Sequence, residues 1–139
     1  VSRVLKDLLY QSGVPAGDGK VLFLGWSYKP QVGDARETPV EPLARNLIES
    51  GVSIYAWDPY LLPEDFPENV NVIEDVNSEK GFDMVVLATA HKECIGIDWG
   101  YLYKGMRTPI LYDGRRALDL QKMRDIGWIV NAIGSPTKY

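Results

Sequence analysis

The sequence predicts an α/β fold, a Rossmann-like, doubly wound and mainly parallel sheet flanked by helices. Short continuous apolar runs at residues 21–24 and 84–88 are typical of parallel strands that are covered on both faces. Segments with helical spacing separate such runs, and alternation of strands with helices along a whole chain favours a parallel sheet. The length of 139 residues suits a single domain with its own core.

The first part of the chain predicts a helix, a strand and a long loop. Residues 2–11 place apolar side chains at helical spacing. Residues 14–19 are rich in Gly and Pro and form a short linker to the first strand at 21–24. The loop from 25 to 37 is long, and long loops are usually functional or mobile.

A helix start follows this loop. Thr38 as N-cap, Pro39 at the first helical position and Glu41 three residues after the cap predict a capping box. The apolar spacing continues to Gly51, which is expected to end the helix.

The rest of the chain repeats the same alternation. Further strands are predicted at 52–57, 70–73, 84–88, 109–112 and 128–133. Helices are predicted at 74–80 and 117–126, and one or two short helices at 90–104. Within 90–104, Trp99, Tyr101 and Leu102 are expected to face inward.

Composition excludes several classes of protein. The net charge of −4, from 15 basic and 19 acidic residues, lacks the basic footprint of a general nucleic-acid binder. Cys94 is the one cysteine, so no internal disulfide forms and a cytoplasmic location is expected. No apolar run approaches the length of a membrane span. Because the sequence opens at Val1 inside a helical pattern, we expect a piece of a longer protein.

Three polar clusters follow predicted strands, at residues 25–36, 58–59 and 113–116. Ligands of open parallel sheets bind beyond the carboxyl ends of the strands. If the clusters converge, Lys29, Arg36 and Arg115 could bracket a phosphate. The alternative is that these are solvated loop charges, or that Arg36 simply pairs with Asp34. Tyr28 is the aromatic residue expected to stack on a base.

Several common motifs are absent from these clusters. A dinucleotide fingerprint would require glycines where Ser27 and Pro30 stand, and no Gly-Lys-Ser/Thr of a P-loop occurs. His91 and Cys94 provide no tetrahedral metal-ligand set, so no metal is expected. We interpret His91 as a helix cap or loop hydrogen-bond partner, Cys94 as a small buried group, and Asp58 as a turn residue at a strand end.

The clusters together resemble a known signature. The loop after the first strand reads Gly25-x-Ser27-Tyr28-Lys29-x-x-x-x-Asp34-x-Arg36-x-Thr38-Pro39. Asp58-Pro59 follows the second strand, Ala88-Thr89-Ala90-His91 the fourth and Asp113-Gly114-Arg115 the fifth. In this order they resemble the C-terminal, UDP-binding domain of the UDP-glucose/GDP-mannose dehydrogenase family.

The resemblance implies a function. Members of this family oxidise the C6 hydroxyl of a nucleotide-sugar to a carboxylate in two NAD-dependent steps. They have an N-terminal NAD-binding domain, a central helical region that forms a homodimer, and a C-terminal UDP-binding domain. Residues 1–13 would then be the end of the helix that connects to the central region, and residues 20–139 the C-terminal domain.

Site residues are implied in the same way. Tyr28 and Lys29 would contact the nucleotide of a UDP-sugar, and Arg115 its ribose–phosphate or sugar side. A supporting role falls to Gly25, Asp34, Arg36 and Asp113.

Neither chemistry nor the NAD site is expected within the chain itself. The catalytic Cys and Lys and the NAD glycines of the family lie in other domains, so no catalytic residue is assigned and the piece alone should be inactive. The expected partners are the UDP-sugar and the other domains, without nucleic acid or membrane. The wording Arg-Glu-Thr-Pro leans toward the UDP-N-acetyl-hexosamine branch, such as UDP-N-acetyl-D-mannosamine. Two other hypotheses are a non-enzymatic interdomain or subunit interaction module and a stand-alone NAD- or CoA-binding regulator.

Overall fold

A computed structural model of the chain describes residues 2–36 and 38–134. Its centre is a six-stranded, all-parallel sheet. The strands are β1 (Lys20–Leu24), β2 (Ser53–Trp57), β3 (Asn71–Val72), β4 (Met84–Leu87), β5 (Ile110–Asp113) and β6 (Ile129–Ala132). Their order across the sheet is β3-β2-β1-β4-β5-β6. The predicted Rossmann-like class is confirmed.

Helices cover both faces of the sheet. They are α1 (Ser2–Gln11), α2 (Val40–Glu49), α3 (Lys92–Ile95), α4 (Trp99–Lys104) and α5 (Leu120–Ile126). Along β1, Val21 and Phe23 pack into one core cluster with side chains of α1 and α2. Leu22 and Leu24 pack into the other cluster with side chains of α4 and α5. The central strand is therefore apolar throughout because both of its faces are buried.

The strand order reverses at β1. From β1 the chain builds the sheet outward through β2 and β3, then returns to place β4 on the other side of β1. Neighbouring connections consequently leave the sheet in opposite directions at the carboxyl ends of β1 and β4. Ligand sites of doubly wound sheets lie at such a reversal.

A buried carboxylate ties the amino ends of the strands together. Asp83 accepts hydrogen bonds from the Lys20 amide at 3.0 Å and the Thr108 hydroxyl at 2.8 Å. Arg107 forms a two-pronged ion pair with the same carboxylate. The polar groups at this edge thus bond one another, and the carboxyl edge carries the polar loops.

Three details differ from the sequence predictions. The segment 74–80 is a series of turns and bends, because Asp75 accepts hydrogen bonds from the Asn77 amide and the Ser78 hydroxyl, which compete with helical bonding. Tyr101 is half exposed, whereas its neighbours Trp99 and Leu102 are buried as predicted.

The predicted capping box is the third difference. Pro39 is the N-cap of α2 and makes no side-chain capping bond. The Thr38 hydroxyl instead accepts a long 3.4 Å hydrogen bond from the Val40 amide. Thr38 is itself buried, so it anchors the end of the loop to the core.

Within the described ranges, none of the helices has the length and hydropathy needed to cross a membrane.

Candidate functional site

Three loops meet at the carboxyl edge of the sheet, after β1, β2 and β4. These strands are neighbours, with β1 in the middle. The loop after β1, residues 25–36, therefore lies between the loops that begin at Asp58 and Ala88. We call residues 25–36 the β1 loop. Its conformation depends on both neighbours.

Asp58 organises the start of the β1 loop. Its Oδ2 accepts hydrogen bonds from the Trp26 amide at 2.8 Å, the Ser27 amide at 2.8 Å and the Ser27 hydroxyl at 2.7 Å. Its Oδ1 accepts the Tyr60 amide at 2.9 Å. Burial by itself would raise the pKa of Asp58, but these bonds and one from His91 outweigh it and hold the pKa below its usual value. A buried, ionised carboxylate thus holds the chain where β1 ends.

This arrangement bears on whether the loop could hold NAD. In dinucleotide sites the amides just after the first strand bind the pyrophosphate. Here the amides of Trp26 and Ser27 already donate to the Asp58 carboxylate. Pro30 has no amide proton to offer. The residues of the β1 loop therefore do not fit a dinucleotide.

His91 is buried at the same place and links two loops. The Gln31 amide donates to His91 Nδ1 at 2.8 Å, and Nε2 lies 2.9 Å from Asp58 Oδ2. The ring packs against Tyr60 with centroids 4.6 Å apart. His91 also precedes α3 without a side-chain capping bond. Of the two roles predicted for His91, a helix cap or a hydrogen-bond partner of a loop, the structure shows the second.

Tyr60 and Glu93 close the cluster beside His91. The Tyr60 hydroxyl donates to Glu93 Oε2 at 2.6 Å. This bond raises the pKa of Tyr60 to about 12 and lowers the pKa of Glu93. Cys94, one residue further, is fully buried, and burial followed by the nearby carboxylates raises its thiol pKa strongly. It is a small buried group, as predicted, and not an activated nucleophile.

The middle of the β1 loop faces solvent. Tyr28 is about half exposed, at 48%, and Lys29 is exposed. With Val32, Asp34 and Arg36 they line an open cavity of about 610 Å³. Lys29 forms no hydrogen bond or ion pair with any residue in the described part of the chain. Its ammonium group and the Tyr28 ring are thus available to a ligand.

Asp34 and Arg36 bond to each other. The Arg36 guanidinium donates to both carboxylate oxygens at 3.1 and 3.2 Å, and its amide donates at 3.0 Å. These bonds lower the pKa of Asp34 and raise that of Arg36. The Asp34 carbonyl also accepts the Tyr28 amide at 2.7 Å. Arg36 therefore pairs with Asp34, which was one of the predicted alternatives for its role. The pair shapes the loop around Tyr28.

Arg115 lines a different depression. Its Nε donates to the Ala88 carbonyl at 2.7 Å, while Asp113 orders the turn by accepting the Arg115 amide at 3.0 Å. The depression has a volume of about 190 Å³ and lies between the start of α2 and the ends of β4 and β5, with Val40 and Tyr112 in its wall. Neither Nη atom of Arg115 has a partner among residues 2–36 and 38–134. Its guanidinium retains free donors beside an apolar wall.

The three predicted cations therefore do not share one cavity. Lys29 and Arg36 line the cavity of the β1 loop, and Arg115 lines the neighbouring depression on the same edge. A smaller depression of about 140 Å³ lies at Lys80 and Lys104, which precede β4 and β5 and so belong to the opposite edge. It contains none of the predicted site residues.

Sequence reasoning missed the cluster that holds the loop. Asp58 and His91 were each interpreted as local features and Tyr60 was not singled out, yet Asp58 and His91 bond each other and the β1 loop, and Tyr60 packs against His91. The available signal was position, since Asp58 and His91 each follow a strand that neighbours β1. Recognising it requires the strand order and not only the strand positions.

An all-parallel sheet in this order, with polar loops at the carboxyl edge of the reversal, defines the class of Rossmann-like nucleotide-binding domains. A family model described as "UDP-glucose/GDP-mannose dehydrogenase family, UDP binding domain" matches residues 22–120. The chain belongs to this family and corresponds to its UDP-binding domain.

Curated relatives agree with this membership. The chain is similar to UDP-glucose 6-dehydrogenase of Drosophila melanogaster, with 27% identity over 135 residues, covering 84% of the chain and 28% of the relative. It is also similar to UDP-glucose 6-dehydrogenase of Rickettsia conorii, with 31% identity over 121 residues, covering 83% of the chain and 28% of the relative. The chain thus spans less than a third of the length of these relatives.

Solved structures show the same fold. UDP-D-ManNAc dehydrogenase of Pyrococcus horikoshii matches with a TM-score of 0.79 and 24% identity, over 96% of the chain and 29% of that protein. NDP-N-acetyl-D-galactosaminuronic acid dehydrogenase of Methanosarcina mazei matches with a TM-score of 0.83 and 23% identity, over 95% and 28%. At such identities the likeness concerns the fold.

Proposed function

We propose that this chain holds the nucleotide of a UDP-sugar at the carboxyl edge of its sheet, as part of an NAD-dependent nucleotide-sugar 6-dehydrogenase. Tyr28 and Lys29 contact the nucleotide from the β1 loop, and Arg115 contacts its ribose–phosphate or sugar side. The observation that carries the proposal is the pair of depressions at the strand-order reversal, each with a cation that has free donors. Family membership supports UDP as the nucleotide.

The two depressions suit different parts of such a ligand. The β1 loop offers an exposed aromatic ring next to an ammonium group, which suits a flat base and a phosphate. The Arg115 depression combines an apolar wall with guanidinium donors, which suit a sugar ring and its neighbouring phosphate. Although the chain has a net charge of −4, Lys29 and Arg115 provide positive charge at this edge, where the diphosphate would bind.

The supporting residues act through the two depressions. Gly25 lets the chain turn closely against Thr89, since a Cβ at Gly25 would lie 2.4 Å from the Thr89 side chain. Asp34 and Arg36 shape the β1 loop, and Asp113 orders the turn that carries Arg115. On this proposal oxidation at C6 takes place in domains outside this chain, which also bind NAD, and α1 is the end of the helix that connects to them.

The test is calorimetric titration of the 139-residue chain with UDP and with UDP-glucose. Lys29→Ala and Arg115→Ala should each weaken binding about tenfold or more, the loss expected for one hydrogen bond between charged groups. Lys104→Ala removes a cation at the opposite edge and serves as the matched control, with unchanged affinity.

Absence of UDP binding at millimolar nucleotide, or equal losses for Lys29→Ala and Lys104→Ala, would contradict the proposal. Formation of NADH when NAD and UDP-glucose are added to this chain would contradict the placement of chemistry in other domains.

A further inference from the structure

The hydrogen bonds of His91 determine its protonation state. The Gln31 backbone amide can only donate, so His91 Nδ1, 2.8 Å away, must accept and carries no proton. Nε2 then carries the proton and donates to Asp58 Oδ2 at 2.9 Å. Only the neutral imidazole with its proton on Nε2 satisfies both bonds.

This imidazole holds the middle of the β1 loop, at Gln31. Asp58 fixes the beginning of the loop through the Trp26 and Ser27 amides, and His91 fixes Gln31, which lies two residues beyond Lys29. Gln31 adopts a left-handed conformation with φ of 57°, which is uncommon for a residue with a Cβ. The bond to His91 is therefore one of the contacts that stabilise this conformation and, with it, the direction of Tyr28 and Lys29.

We propose that neutral His91 is a positioning residue for nucleotide binding, and that its protonation releases the β1 loop and weakens that binding. The inference rests on the proposed function for its ligand. In the imidazolium both ring nitrogens are donors, so Nδ1–H and the Gln31 N–H would face each other. Gln31 is exposed, and its amide can turn to water. The consequence is a change of loop conformation and not unfolding of the buried core.

Five charged or titratable groups surround the ring or follow it in α3: Asp58, Tyr60, Lys92, Glu93 and Cys94. The pKa values of both carboxyl groups are lowered, so these groups stay ionised between pH 5.5 and 8. The pKa values of the phenol and the thiol are raised, so these groups stay neutral there. Histidine is the residue type whose reference pKa lies within this range.

The chain contains one histidine, so its imidazole signals in an NMR spectrum need no further assignment. At pH 8, long-range ¹H–¹⁵N spectra should show a protonated Nε2 and an unprotonated Nδ1. On acidification to pH 5.5 the amide signals of Gln31, Tyr28 and Lys29 should shift with the same midpoint as the ring. A proton on Nδ1, a ring that stays neutral at pH 5.5, or loop amides that do not follow the ring would each overturn the proposal.

Binding is measured over the same pH range with UDP-glucose, whose two phosphates are both esterified and keep a constant charge. Affinity of the wild-type chain should fall about three- to tenfold between pH 8 and 5.5, the effect of one lost hydrogen bond. The matched variant His91→Asn provides an amide oxygen near the position of Nδ1 that does not titrate. Because it also lacks the Nε2 bond to Asp58, its affinity at pH 8 is its own reference, and from that reference it should show no fall on acidification.

Equal pH dependence in wild type and variant, or a wild-type affinity that is constant while the ring titrates, would overturn the positioning role. Failure of UDP-glucose to bind at any pH would instead contradict the proposed function, and the loop amides would then decide the coupling between His91 and the loop.

Discussion

Replacing Asp58 by Asn tests whether one carboxylate organises the candidate site. The substitution keeps the shape of the side chain but removes its charge. Four donors converge on Oδ2, namely the Trp26 amide, the Ser27 amide and hydroxyl, and His91 Nε2, and the Tyr60 amide donates to Oδ1. An Asn oxygen in place of Oδ2 retains four weaker bonds, and its amino group then faces the Tyr60 amide as a second donor.

The magnitude follows from these bonds. Each charge-assisted bond that becomes neutral loses about 1 kcal/mol, and an amide left without an acceptor costs about 1–2 kcal/mol. Removal of a buried charge returns several kcal/mol of desolvation free energy. We expect a net decrease of about 2–4 kcal/mol in the free energy of unfolding.

Urea unfolding at pH 7, followed by tryptophan fluorescence, measures this decrease. Asp125→Asn is the control, because Asp125 is exposed and accepts one hydrogen bond from Gln121, a contact worth about 0.2–0.5 kcal/mol. Equal effects of the two substitutions would refute the reasoning.

The pH dependence gives an independent check on Asp58. Its folded pKa lies below its usual value, near 3.9 in the unfolded chain. Its ionisation therefore stabilises the fold above about pH 4, and that contribution is lost as the pH falls through the folded pKa. The difference in stability between wild type and Asp58→Asn should shrink below pH 4. A difference that stays constant down to pH 2 would show that ionisation of Asp58 does not stabilise the fold.

Three further outcomes are expected. Gly25→Ala should lower the free energy of unfolding by about 2 kcal/mol or more, because φ is +87° and the new Cβ would meet the Thr89 side chain and backbone. The control Gly17→Ala, at a position with open space and no positive φ, should change the free energy of unfolding by less than about 0.5 kcal/mol. Similar melting temperatures for both variants would count against the close approach of Gly25 to Thr89. Cys94, buried and with a raised thiol pKa, should react with a thiol reagent such as DTNB only after unfolding in urea, and rapid stoichiometric labelling of the native chain would contradict its burial. Arg36→Gln should change stability by less than about 0.5 kcal/mol, since that side chain is 89% exposed; a larger loss in thermal unfolding would mean that the ion pair holds more than the loop.

Much of the fold could be predicted from periodicity. The runs at β1 and β4 are continuously apolar, without alternating polar residues, because both faces of these strands are buried. The prediction failed where short polar side chains bond the backbone: the Asp75 carboxylate accepts the Asn77 amide, and the Ser78 hydroxyl donates to the Asp75 carbonyl. Helical spacing also placed Tyr101 inward, although its side of α4 is half exposed.

The candidate site could be predicted only in part. Loop charges such as Lys29 and Arg115 are visible in the sequence because they follow predicted strands. Their separation into two depressions is not visible, because it depends on the Arg115 bond to the Ala88 carbonyl. The cluster of Asp58 and His91 is a tertiary feature, formed by the ends of two strands that are distant along the chain and adjacent to β1 in the sheet.

The hydrogen bonds of Asp83 at the amino edge of the sheet have a consequence for the order of folding. Asp83 joins the Lys20 amide, 63 positions away, to Arg107 and Thr108. The pairing of β1 with β2 spans a shorter loop than its pairing with β4, and long loops close at a larger entropic cost. Contacts so distant in sequence slow folding. Strands β1, β2 and β3 can therefore assemble first. The bonds of Asp83 to Lys20, Arg107 and Thr108 form when β4 and β5 pack against β1.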